Sequence, residues 1–116
     1  MWPFSPSDPQ KQKEKKFREL EKEFTGSVEM LALQKATWLS SRGNSLGERG
    51  KLEEAIQDFE EAIRIKNDHI PSYCSLGIAY EKKGMDEKAR QIIDKAPEEL
   101  KVDGQVIATK SELLQS

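Results

Sequence analysis

The sequence predicts an all-α chain, an α-α superhelix of two helix-turn-helix repeats with one further helix before them and one after. Two observations carry this prediction. Apolar residues recur at steps of three and four, and no segment alternates as a strand would. The chain also repeats itself at an offset of 34 residues: Gly43 matches Gly77, Gly50 matches Gly84, Glu53 matches Glu87, Ala55 matches Ala89, Gln57 matches Gln91 and Ala62 matches Ala96. Each unit of that length is a helix pair too small to bury its own apolar face, so the pairs must stack on one another as a helical solenoid.

Taken in order, residues 1–7 hold two prolines and two serines and read as a disordered tail. The segment 8–26 reads as an amphipathic helix, with Asp8 as its N-cap and Pro9 in its first turn. Phe17, Leu20 and Phe24 share one side of it and require a surface to pack on. Gly26 reads as its terminator and Ser27 as the cap of the next helix, which opens a repeat domain over 27–116. The first repeat, about 36–69, pairs a helix ending near Gly50 with one carrying Leu52, Ala55, Ile56, Phe59, Ala62 and Ile63 on one face. "KNDH" turns the chain at 66–69, and the second repeat occupies about 70–101. Pro97 breaks that pair, and "KVDGQ" separates it from a capping helix over about 104–115, on which Val106, Ile107, Lys110, Leu113 and Leu114 share a face. Trp38, near the start of the first repeat, is expected to pack on Phe17, Leu20 or Phe24.

With 116 residues, 34% charged and a net charge of -2, the chain reads as one small domain with no bulk attraction to nucleic acid. One cysteine, Cys74, excludes an internal disulfide, and a cytoplasmic setting is expected. "MWPFSPSDPQ" has neither the basic start nor the apolar core of a secretory signal, and no stretch approaches the length of a membrane span. Trp2 and Phe4 read as part of the tail. The basic run "KQKEKKFR" at 11–18 is interrupted and followed by glutamates, so it reads as a solvated helix face, and neither nucleic acid nor membrane is the expected partner.

Catalysis needs a nucleophile, a base and an orienting group, or a metal constellation, and the sequence offers one His and one Cys. His69 reads as a solvent-exposed residue of the turn, and Cys74 as an ordinary small helix residue for which a lowered pKa is conceivable. The carboxylates of "EEAIQDFEEA", Asp58 and Glu61 among them, read as a solvated outward face. No enzyme, cofactor or metal is expected.

The spacing of the second unit, with Tyr73, Leu76, Gly77, Tyr80, Gly84, Ala89, Ile93 and Ala96, resembles the tetratricopeptide repeat family. The first unit is looser. It keeps Gly43, Gly50, Ala55, Phe59 and Ala62 but has Leu39, Arg42 and Leu46 where an aromatic, a Leu and a Tyr are typical. The usual closing proline is absent at Asn67 and Lys101. Gly77 and Ala89 should mark a close helix crossing, with Gly84 in the turn and Ile93 filling the space beside them.

The resemblance implies a non-catalytic adaptor or scaffold whose concave groove binds another protein or peptide. Carried over by position, the groove residues are Ser40, Asn44, Glu48, Cys74, Ile78, Glu81 and Lys82. Asn44 matches the asparagine that chaperone-binding members set against a C-terminal carboxylate. Ser40 stands where those members have a lysine, which argues against chaperone tails. Two alternatives remain: a self-associating structural module, dimerising through the flanking helices or a solenoid end, and an RNA- or membrane-tethered module using the basic N-terminal segment.

Overall fold

The computed structural model describes residues 9–23 and 26–115. Six helices lie among them: α1 (Pro9–Glu23), α2 (Val28–Glu48), α3 (Leu52–Ile65), α4 (Ile70–Lys82), α5 (Asp86–Lys95) and α6 (Lys110–Leu114). Between α5 and α6 lies a two-stranded antiparallel hairpin, β1 (Glu99–Val102) and β2 (Gln105–Thr109). The expected tail and the residues Asp8 and Phe24 fall outside the described residues.

The pairs α2/α3 and α4/α5 are equivalent hairpins of helices. Ser27 caps α2 by accepting a hydrogen bond from the Met30 N–H at 3.0 Å. Both helical turns close in the same way. Gly50 and Gly84 adopt φ of 81° and 79°. The N–H of the next residue, Lys51 or Met85, then reaches back to the carbonyl of Leu46 or Tyr80 at 2.9 Å. A side chain at either glycine would strain that left-handed turn.

Gly43 and Gly77 do a different job. A Cβ at Gly43 would lie 2.6 Å from Phe59 Cε1, and one at Gly77 would lie 2.7 Å from Ile93 Cδ1. The two helices of each pair therefore cross where one has no side chain and the other lays a large one across it. Leu46, Phe59, Leu76, Tyr80 and Ala89 belong to one buried cluster that joins the two repeats.

At the N-terminal end, α1 covers the first repeat. Phe17 meets Trp38 edge-on, with ring centroids 6.1 Å apart, and Glu21 pairs with Lys35, so α1 runs antiparallel to α2. Beneath them Arg42 holds Asp58 with two hydrogen bonds, Nε to Oδ2 at 2.7 Å and Nη2 to Oδ1 at 2.6 Å. Asp58 is only 3% exposed, so it does not belong to the outward acidic face with Glu61. Arg42, standing where a leucine is usual, draws the carboxylate inward.

His69 also departs from expectation. It is 3% exposed, with Nδ1 2.6 Å from Ser72 Oγ and Nε2 3.3 Å from Thr37 Oγ1, and so links the start of α4 to α2. Burial lowers its pKa from 6.5 to about 4, with Lys66 adding to the fall and Asp68 opposing it. The folded state thus resists protonation. The stability held by neutral His69 is complete above pH 6.5 and is lost as the pH falls from there towards 4. The loss should reach about 2 kcal/mol by pH 5. Urea titrations at pH 7 and 5 on the wild type and His69→Gln check this; equal pH slopes for the two proteins would refute it.

The C-terminal capping helix expected over 104–115 is not there. Asp103 and Gly104 both have positive φ, 51° and 82°, as the two central residues of a type I′ turn, and this turn folds the segment into the β1–β2 hairpin. As a strand, β1 turns Leu100 and Val102 inward, where they are 4% and 5% exposed. The turn between the repeats holds its edge: Lys101 N–H donates to Asp68 Oδ2 at 3.0 Å and Lys66 Nζ donates to the Lys101 carbonyl at 2.8 Å. Asp103 N–H reaches Glu29 at the start of α2. Only Lys110–Leu114 is helical, capped by Thr109. Val106, Ile107 and Leu114 consequently do not share a buried face and are each about half exposed.

Candidate functional site

The helices α2 and α4 are the first members of their pairs, and their free faces form the side of the molecule for which groove residues were expected. Along α2, Asn44 and Glu48 are exposed; along α4, Ile78, Glu81 and Lys82 are exposed. Ile78 is 52% exposed although it lies one residue from the buried Gly77.

Two expected groove residues are not available in this way. Ser40 is 5% exposed. It lies one turn beyond Thr37, whose hydroxyl meets His69 at the start of α4. Cys74 is half-buried in the cluster that contains Ala108 of β2 and Leu113 of α6. The C-terminal segment, not solvent, meets that part of α4. Burial pushes the Cys74 thiol up, offset in part by Lys110, so the conceivable lowering is reversed.

What stays open is the C-terminal half of the face. A recess of about 40 Å³ lies there between the helices, lined by Asn44, Gly47, Ser75, Ile78 and Lys82, with Phe59 among its deeper walls. It is far below the hundreds of Å³ that enclose a small-molecule ligand, and has room for a single small side chain or a water.

Gly47 and Ser75 were not among the expected residues. Gly47 nevertheless carries a signal in the sequence. It has no glycine counterpart in the second unit, where Glu81 stands, and its interior position costs about 1 kcal/mol relative to alanine. Packing does not demand it, since a Cβ there would meet its nearest neighbour, Ala55 Cβ, at 3.9 Å. Its absence of side chain opens the recess.

The electrostatics of the opening are mixed. Glu48 and Glu81 are exposed carboxylates and Lys82 is an exposed ammonium without an ion pair among the described residues. Its neighbour Lys83 is instead engaged by Glu53 of α3. Among the described residues no group of three His, Cys, Asp or Glu side chains is placed to hold a metal.

Stacked helix pairs that meet at glycines, with turn glycines of positive φ and an open face on the first helix of each pair, define a helical-repeat fold. The TPR repeat family model matches residues 43–84, from the crossing glycine of the first pair to the turn glycine of the second. That match marks residues 43–84 as similar to tetratricopeptide repeats. Repeats of this family generally bind other proteins and are typically non-catalytic. No curated protein and no solved structure matches the chain. Among the described residues no helix is long and apolar enough to cross a membrane.

Proposed function

We propose that this protein is a non-enzymatic cytoplasmic adaptor that binds an extended segment of another protein across the open half of its concave face. The observation that carries this reading is the half-exposed Ile78 at the recess between α2 and α4, with Asn44 on one side and Lys82 on the other. An apolar contact flanked by an amide and an ammonium suits a short peptide stretch with one small apolar side chain and polar neighbours. Asn44, Glu48, Ile78, Glu81 and Lys82 form the contact surface. Ser40 and Cys74 contribute to the fold beneath it and to the C-terminal docking beside it.

Asn44→Ala with Ile78→Glu should leave stability within about 0.5 kcal/mol, because both residues are exposed. The same pair of changes should abolish capture of any partner held by the wild type. Gln57→Ala with Glu60→Ala, exposed on α3, should retain it. Affinity capture with mass spectrometry on the three proteins reads the result. A folded groove variant that keeps the partner, with loss in the α3 variant, would move the binding site to the outer face.

A further inference from the structure

A third helix pair would stack on α4 and α5 and touch only that neighbour, as repeats in a solenoid do. The segment 99–114 instead folds back onto the first helices of both pairs. Its turn reaches α2, where the Asp103 N–H bonds Glu29. Leu100 lies in a buried cluster with Ile70 and Tyr73 of α4, and Leu33 of α2, Cys74, Ala108 and Leu113 all pack against that cluster. Cys74, Ile78 and Lys82 follow one another at steps of four along α4 and so share a face. The segment shares its cluster with the first of them and leaves the other two exposed.

Two features make this segment separable from the repeats. The buried cluster that joins the two pairs, with Leu46, Phe59, Leu76 and Ala89, contains none of its residues. Its attachment is also light. Lys66 donates to the Lys101 carbonyl, and the Lys101 and Asp103 N–H groups donate to Asp68 and Glu29, all at exposed positions. Leu100 and Val102 are buried, but Val106, Ile107 and Leu114 stay about half exposed. Elements held in this way lie at the low end of local stability, and a lone two-stranded hairpin is marginal in water, so detachment should melt it. We propose that residues 99–114 form an autoinhibitory strap, which detaches beyond Pro97 while both helix pairs stay folded and so extends the open face of α4 by one turn, from Ile78 to Cys74. The inhibitory sense of that opening rests on the groove function proposed above; the opening itself does not.

Native-state hydrogen exchange, read residue by residue by NMR on the full chain, tests this. The Lys110 N–H, bonded to the Glu98 carbonyl at the base of the strap, reports detachment, and the Tyr80 N–H within α4 reports opening of the repeats. Lys110 should be protected at least about tenfold less than Tyr80. Ile56→Val, in the cluster that joins the pairs, should speed exchange at Tyr80 by about threefold or more and leave Lys110 unchanged, because the contacts of Ile56 survive detachment. Asp68→Ala removes an anchor of the strap and should speed exchange at both sites. Glu29→Ala, which removes the Asp103 anchor, reads the same effect should Asp68→Ala fail to fold. Labelling of Cys74 by a bulky maleimide should follow Lys110, faster in the anchor variants and unchanged in Ile56→Val. Equal protection of Lys110 and Tyr80, exchange at Lys110 that rises with Ile56→Val, or Cys74 labelling indifferent to the anchor variants overturns the strap. The groove function can fail in affinity capture with every one of these rates as expected, so the two failures are distinct.

Discussion

Asp58→Ala is expected to destabilise the protein by about 3–5 kcal/mol, a large part of the stability of a domain this size. The Asp58 side chain is 4% exposed and that of Arg42 is 15% exposed, and the two share a bidentate pair of hydrogen bonds. Removing the carboxylate takes the bidentate acceptor from a largely buried guanidinium, whose Cζ lies 5.0 Å from the Trp38 ring centre. The cost comes from the lost bidentate pairing of a largely buried charge, so it should shrink when the guanidinium goes as well. Arg42→Leu, which restores the residue typical of the repeat at that position, combined with Asp58→Ala should lie within about 1–2 kcal/mol of the wild type. Urea unfolding of the two single variants and the double variant measures this. If the double variant is as unstable as the sum of the singles, the pair is not coupled and the buried-charge account is wrong.

That pair also shows where the sequence could be read and where it could not. Helical spacing alone puts Asp58 beside Glu54 and Glu61, and nothing local distinguishes it from them. The distinguishing fact is sixteen residues away, in the arginine at a position that faces the core. His69 fails for the same reason: its polar neighbours suggest a solvated turn, while it is buried and meets Thr37 on another helix. The glycines were legible because their constraint is a property of the repeat itself, visible twice at one offset. The C-terminal hairpin also carries a local signal, but a competing one masks it. Asp103-Gly104 between apolar runs is a strong hairpin signal, and the threefold and fourfold spacing of Val106, Ile107, Lys110, Leu113 and Leu114 obscured it. Of the expected groove, the half built by Asn44, Glu48, Ile78, Glu81 and Lys82 is open, and the half at Ser40 and Cys74 is covered. Cys74 packs in one cluster with Ala108 of the hairpin and Leu113 of α6, so the Asp103-Gly104 turn also bears on which part of the expected groove is open.

Gly77→Leu is expected to unfold the protein or lower its stability by about 3 kcal/mol or more, the upper part of the range for overpacking. The first atom of the new side chain would sit 2.7 Å from Ile93 Cδ1 and 2.8 Å from Ile93 Cγ1, with the Ala89 carbonyl oxygen at 3.5 Å behind them. Ile93 can swing its tip aside for one methyl, but the backbone of α5 blocks the rest of a leucine. Moving α5 away from α4 would also separate Ala89 from Leu76 and Tyr80, in the cluster that joins the repeats. Two controls tie the loss to that crossing. Gly77→Ala should cost less, and Ile93→Ala in the same chain should recover part of its cost, because the two side chains compete for one space. Gly47→Ala lies in the same kind of helix with nothing nearer than 3.9 Å, and there the gain in helix propensity should show as up to about 1 kcal/mol of added stability. Thermal melts of the variants decide the matter. If Gly77→Leu melts with the wild type, or if Gly47→Ala is as damaging as Gly77→Ala, the close approach of α4 to α5 is not what holds the second repeat together.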